Sequence, residues 1–151
     1  MQNKPVVPYQ HQVETTTFIK NTPRCLITSD PGTGKTRAVL DALTPEAGAT
    51  LVLAPLSILE ASWGEDILKF RPSLSYGVAY AKNRKQIFEN LSLDVVITNF
   101  EAVNFLHKNL HLLKRFNTII IDEFTAFKNR GAIRSKNLKS IIKNFNKRVA
   151  M

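Results

Sequence analysis

Short apolar runs rich in β-branched residues alternate along this chain with longer stretches of helical period, the pattern of βα units around a parallel sheet. The runs predict strands from Cys25 to Thr28, Thr50 to Ala54, Ser75 to Ala79, Asp94 to Thr98, Thr118 to Ile121 and Arg148 to Met151. The intervening periodicity predicts helices from Tyr9 to Ile19, Lys35 to Leu43, Ile58 to Phe70, Asn83 to Asn90, Ala102 to Leu113 and Ser135 to Asn144. Segments such as "LVLA", "DVVIT" and "TIII" are apolar at consecutive positions, so both of their faces need cover. The expected fold class is therefore α/β, a parallel sheet flanked by helices on each side. The last run, within "NKRVAM", begins polar and has nothing after it. It reads either as a short edge strand or as the cut end of a longer domain.

Size and composition narrow the class without changing this picture. With 151 residues, 44% hydrophobic and 22% charged, and no repeat or Gly/Ser linker, one globular domain over residues 1–151 is the economical partition. No apolar run approaches the ~20 residues of a membrane span, and "MQNKPVVPYQHQ" lacks the basic start and apolar stretch of a signal peptide, which points to an intracellular protein. The single cysteine, Cys25, has no internal disulfide partner and sits in "RCLIT" as a small hydrophobe rather than a reactive thiol. A formal net charge of +9 favours a polyanionic partner. The charge is uneven, since no acidic residue follows Glu123 while Lys128, Arg130, Arg134, Lys136, Lys139, Lys143, Lys147 and Arg148 do. A solvated helix face and phosphate contact account for that run equally well, with Ile133, Leu138, Ile141, Ile142 and Phe145 supplying the core side.

Two motifs carry chemistry. "CLITSDPGTGKTRAVL" passes from an apolar strand through a glycine-containing turn into a helix, the context of a phosphate-binding loop. Gly32 and Gly34 let the backbone turn tightly and aim N–H groups inward, and the helix that follows adds its positive end. Lys35 would reach the β- and γ-phosphates and the Thr36 hydroxyl would ligate Mg²⁺. Ser29 stands where the full pattern has its first glycine, so the bare motif is less specific than usual. A lysine opening a helix opposes the dipole, however, and an anionic ligand explains it. The second motif, "TIIIDE", buries a strand and lets Asp122 emerge at its carboxyl end, where ligands of such sheets bind. Asp122 would hold Mg²⁺ through water, and Glu123 would orient and deprotonate the attacking water. An acidic pair after a strand more often only ends it; joined to "PGTGKT", the pair becomes the expected partner of the loop.

Several ordered segments together resemble the first RecA-like domain of a superfamily-two helicase, of the Swi/Snf type of DNA-dependent ATPase. "PYQHQV" is similar to the family's adenine-recognising segment, which implies Gln10 as its glutamine and Tyr9 as a neighbour on the base. "SDPGTGKT" resembles a family loop that also lacks the first glycine, and implies a nucleotide-binding set of Asp30, Gly32, Thr33, Gly34, Lys35, Thr36 and Arg37. "LVLAPLSILEASWGEDILKF" resembles motif Ia and its helix, which carries Trp63, and "DVVITNFEAV" resembles motif Ib. Together they imply DNA backbone contacts at Pro55, Ser57, Thr98 and Asn99. "IIIDEFTAFKN" is similar to the DEAH segment at Asp122, Glu123, Lys128 and Asn129. Phe124 and Thr125 depart from it, and Thr125 replaces a histidine that links the nucleotide site to the next motif.

The resemblance implies ATP and Mg²⁺ as cofactors, ATP hydrolysis with Lys35, Asp122 and Glu123 as the catalytic residues, and double-stranded DNA as a partner bound without sequence specificity. It also implies a second RecA-like domain after a Thr-Gly-Thr-Pro stretch that this sequence does not include. The expectation is thus a domain truncated at its C-terminal end, in a prokaryotic or phage-infected cell. Related phosphoryl-transfer systems gain ~10³ to 10⁵ in turnover from an arginine finger. Without the arginines of a second domain, hydrolysis by this chain alone is expected to be weak or nil. Two other readings stay open on the residues: a phosphate-loop NTPase of another class, and a non-catalytic nucleotide- or DNA-binding module.

Overall fold

The apolar runs form six strands in one parallel sheet: β1 (Arg24–Leu26), β2 (Ala49–Leu53), β3 (Tyr76–Ala79), β4 (Val95–Thr98), β5 (Phe116–Ile121) and β6 (Lys147–Ala150). This is seen in a computed structural model, which describes residues 10–27, 35–56, 59–122 and 132–151. The helices are α1 (Gln10–Asn21), α2 (Lys35–Asp41), α3 (Glu65–Phe70), α4 (Arg84–Glu89), α5 (Ala102–His107) and α6 (Ala132–Ile142). Two of the expected helices are not uniform. The one over residues 58–70 opens with a π-helical stretch, Leu59–Gly64, and the one over 102–113 breaks into α5 and a 3₁₀ turn, Leu110–Leu113.

The strand order is β1-β6-β5-β2-β4-β3, with each neighbouring pair parallel. Alternate residues of β2, β4 and β5 feed two separate cores, as the period of a strand requires. Leu51, Leu53, Val96, Ile119 and Ile121 pack with Phe88, Val103, Leu106, Leu138, Ile141 and Phe145, so α4, α5 and α6 cover one face. Val52, Val95, Ile97, Ile120 and Val149 pack with Ile19, Val39, Leu40, Trp63 and Ile67, so α1, α2 and the segment ending in α3 cover the other. Consecutive apolar positions were needed because both faces are buried.

The entry to β2 is tight. Gly48 has φ +136°, and a Cβ there would lie 2.9 Å from the Arg115 carbonyl oxygen just before β5. Only glycine fits that crossing without strain.

One expectation is corrected. The final strand is not at an edge: β6 lies between β5 and β1, and the edges are β1 and β3. Lys147, which opens β6, serves the neighbouring layer, its ammonium donating to the Ile19 and Lys20 carbonyls at the end of α1. A lysine there adds a charged donor to carbonyls in the last turn of the helix and complements the negative end of its dipole. Partial burial lowers the Lys147 pKa from its usual range, with the nearby Cys25 opposing that shift. On α6, Leu138, Ile141 and Phe145 beyond its end are buried while Lys136, Lys139 and Lys143 are exposed, as the periodicity predicts.

Candidate nucleotide-binding site

A parallel sheet sends all its strand ends with the same sense to one edge, and at the carboxyl edge this chain gathers most of its candidate chemistry. β1 leads through residues 28–34 into α2; β5 ends at Asp122; β2 and β4 end at Ala54-Pro55-Leu56 and Asn99. β6 separates β1 from β5, so the chain leaves those two strands at points about 10 Å apart by the usual strand spacing.

Asp122 is fixed at two points. Its amide donates to the Leu53 carbonyl at 2.8 Å, which carries the β2–β5 ladder one step past the strand. Its carboxylate Oδ2 accepts from the indole Nε1–H of Trp63 at 2.9 Å. Trp63 is wholly buried and half-buried Asp122 sits at the rim of the same core face. A buried indole N–H without an acceptor would cost about 1 to 3 kcal/mol, so the carboxylate also completes the packing of the tryptophan. This contact is the main feature of the candidate site that sequence reasoning missed. The two residues are 59 positions apart. The available signal was chemical: one tryptophan in an apolar helix has one N–H to satisfy.

The helix that follows the loop is held from behind. Lys35 and Thr36 are the first two residues of α2, and Thr36 is half-buried. Arg37 lies further along α2 with its Nε 3.2 Å from Asp41 Oδ2 and its guanidinium 4.4 Å over the Phe70 ring. Those contacts turn Arg37 toward α3. At the far end, Arg71 Nη1 donates to the carbonyls of Leu40 at 2.7 Å and Leu43 at 3.4 Å, satisfying acceptors that the end of α2 exposes.

Gln10 opens α1, where its amide donates to Glu14 at 3.3 Å on the exposed surface. Pro55 is half-buried after β2, and next to it Leu56 is exposed. Thr98 ends the neighbouring strand β4 and Asn99 follows it, and the Ala54 amide donates to the Thr98 carbonyl at 3.0 Å, so the two strand ends adjoin. Thr98 itself is buried, its hydroxyl donating to the Ala79 carbonyl at 2.7 Å; in this arrangement it braces β3 against β4 and presents no group at the surface. The Asn99 side chain is 6% exposed and accepts from Arg84 Nη2 at 3.2 Å. Arg84, at the start of α4, thus brings a cation to the residue that follows β4. Tyr9, Asp30, Gly32, Thr33, Gly34, Ser57 and Glu123 lie outside the described residues, as does the side chain of Lys35.

The donor chemistry fits Mg²⁺. Asp122 keeps one carboxylate oxygen that Trp63 does not engage, and Thr36 adds a hydroxyl; hard oxygen donors in small number suit an ion that shares its shell with phosphates and water. Among the described residues no three His, Cys, Asp or Glu side chains gather into a metal cage. No helix among them is long and apolar enough to cross a membrane.

A family profile described as DEAD/DEAH box helicase matches residues 8–151. An uncharacterized ATP-dependent helicase of Mycoplasma genitalium is 28% identical over 130 residues, covering 80% of this chain and 12% of that protein. The fold is similar to that of the Sulfolobus solfataricus SWI2/SNF2 ATPase core in complex with dsDNA, with TM-score 0.73 and 22% identity, over 98% of this chain and 34% of that one. It is also similar to Mycobacterium smegmatis helicase Lhr bound to ssDNA and AMP-PNP, with TM-score 0.73 and 21% identity, over 95% of this chain and 22% of that one. At such identities the structural likeness shows the fold alone, a RecA-like parallel sheet flanked by helices. The chain thus spans about one eighth of the Mycoplasma protein's length.

Proposed function

Because the chain belongs to the DEAD/DEAH box helicase family, we propose that it is the ATP-binding half of a DNA-dependent ATPase of the translocase kind, working inside a prokaryotic or phage-infected cell. What supports this reading is that the phosphate-loop segment and the "DE" segment leave strands of one parallel sheet at the same edge, two strand positions apart.

In this reading residues 30 and 32–34 with Lys35 cradle the phosphates, Thr36 and Asp122 hold Mg²⁺, and Gln10 with Tyr9 meets the adenine. The ion, when bound, neutralises charge on the phosphate oxygens. Glu123 orients the attacking water and takes its proton, the work left to the protein in an in-line transfer that needs positioning more than covalent help. Arg37 serves the site indirectly, by fastening α2 to α3 through Asp41 and Phe70.

DNA, double-stranded and bound through its phosphates without sequence readout, crosses the adjoining loops after β2 and β4, with Pro55, Ser57 and Asn99 as contacts and Arg84 behind Asn99. A second RecA-like domain supplies the arginines and the other half of the track.

Calorimetric titration with Mg-ATP tests the nucleotide site. A lysine–phosphate contact is worth about 1.5 to 3 kcal/mol, so Lys35→Ala should weaken binding by roughly ten- to a hundredfold. An unchanged affinity would overturn the reading, and phosphate release unaffected by DNA in the presence of a second domain would overturn its DNA-dependent part.

A further inference from the structure

Asp122 has two carboxylate oxygens, and the fold commits one of them. Oδ2 is bonded to the indole of Trp63, a side chain with 0% exposure, while the carboxylate itself stays half-buried at the sheet edge. The indole is delivered by the π-helical stretch Leu59–Gly64, which starts soon after the loop that follows β2. π-Helical turns are rare and recur at functional sites, where the wider turn re-aims a side chain.

This turn is held from outside as well. A Cβ on Gly64 would lie 2.8 Å from the Glu60 carboxylate one turn back, and that carboxylate accepts from the Tyr76 hydroxyl at 2.8 Å. Glycine at 64 thus lets Glu60 fold over the turn, and Tyr76 on β3 pins it there. The Trp63–Asp122 bond therefore joins two rigid elements rather than two mobile side chains.

We propose that Trp63 is a positioning residue for the nucleotide site: its indole locks the Asp122 carboxylate so that the other oxygen is presented to the Mg²⁺ shell. The proposal rests on the reading of Asp122 as the carboxylate of that shell. A carboxylate at a strand end otherwise turns about two side-chain bonds, and the donor fixes both. Outer partners of this kind are worth about ten- to a hundredfold in metal affinity.

The chain has one tryptophan, so it gives one indole N–H signal in a ¹H–¹⁵N NMR spectrum. On the 151-residue protein, Mg²⁺ with a non-hydrolysable ATP analogue should move that signal, and the analogue with a chelator in place of Mg²⁺ should not. Trp63→Phe should raise the Mg²⁺ concentration for half-maximal analogue binding about tenfold while leaving the Mg²⁺-free affinity unchanged. A merely structural tryptophan would alter both or neither. The proposal fails if the folded variant keeps the wild-type Mg²⁺ requirement. It fails equally if the indole signal stays still while calorimetry records Mg²⁺-dependent binding; this arm decides alone if the variant does not fold. Asp122→Asn, which retains an oxygen for the indole, separates the two readings: if it keeps the wild-type Mg²⁺ requirement, the assignment of Asp122 is wrong and the proposal falls with it.

Discussion

β1 is three residues long, and β6 is its one neighbour in the sheet. Two of the hydrogen bonds that tie them are Arg148 N–H to the Pro23 carbonyl at 2.7 Å and Ile27 N–H to the Ala150 carbonyl at 2.8 Å. Alternate residues of β6 face opposite neighbours, and Met151 N–H goes the other way, to Ile121 on β5 at 2.9 Å. Arg148→Pro therefore removes a donor aimed at β1 and leaves the β5 side its donors. Losing the bond costs about 1 kcal/mol net. Forcing φ to about −65° where a parallel strand wants about −120° adds a comparable amount. The sum, about 2 kcal/mol, makes local release of β1 about thirtyfold easier. Amide hydrogen exchange under native conditions should show the Ile27 amide exchanging about thirtyfold faster, with the Ala54 and Asp122 amides, bonded to Thr98 and Leu53, unchanged. Arg148→Ala, which keeps the N–H, should leave Ile27 near its wild-type rate. Nucleotide affinity should fall with Arg148→Pro, because β1 leads into residues 28–34. Equal acceleration of all three amides would show that β1 opens only with the whole sheet, and the reasoning would be refuted.

Two further outcomes follow from the contacts behind the site. Arg71→Met keeps the aliphatic stem but leaves the Leu40 and Leu43 carbonyls without their charged donor; at about 1.5 to 3 kcal/mol this should lower Tm by roughly 5 °C in calorimetry, and an unchanged Tm would show that water replaces the guanidinium freely. Burial pushes the Cys25 thiol above its usual pKa, with Lys147 partly offsetting the rise. A raised pKa means less thiolate at a given pH, so a disulfide reagent should modify Cys25 more slowly than a free thiol at pH 8 and catch up only as pH rises; Lys147→Met should slow it further. Reaction at the free-thiol rate would contradict the burial argument.

The strands were legible because burial on both faces leaves a local signature. A run such as Leu51-Val52-Leu53 needs apolar neighbours above and below, and residues of both cores appear side by side in the sequence. Polar letters at strand ends were less legible, because their partners lie on other elements. Lys147 read as part of a basic run on a solvated or phosphate-contacting helix face, yet its ammonium is bound to carbonyls of α1. Thr98 looked like a loop residue available to nucleic acid, yet its hydroxyl crosses to β3. In each case a side chain that can reach water is also able to satisfy a backbone carbonyl, and composition does not say which it does.

The place of Asp122 was legible for the opposite reason: it follows a buried strand, and the rule that ligands of parallel sheets sit at the carboxyl ends needs no knowledge of the partner. The orientation of its carboxylate did need that knowledge. It is set by a tryptophan 59 positions away, on a π-helical turn where Leu59 and Trp63 are buried together with Ile67 of the helix that follows. Amphipathic spacing assigns Trp63 to the core, which is correct for its rings and silent about its N–H. The Asp122 amide is bonded to Leu53 at the end of β2, and the segment after β2 carries Trp63. Backbone and side chain of one aspartate are thus both tied to one stretch of chain, the amide to the end of β2 and the carboxylate to the turn that carries Trp63.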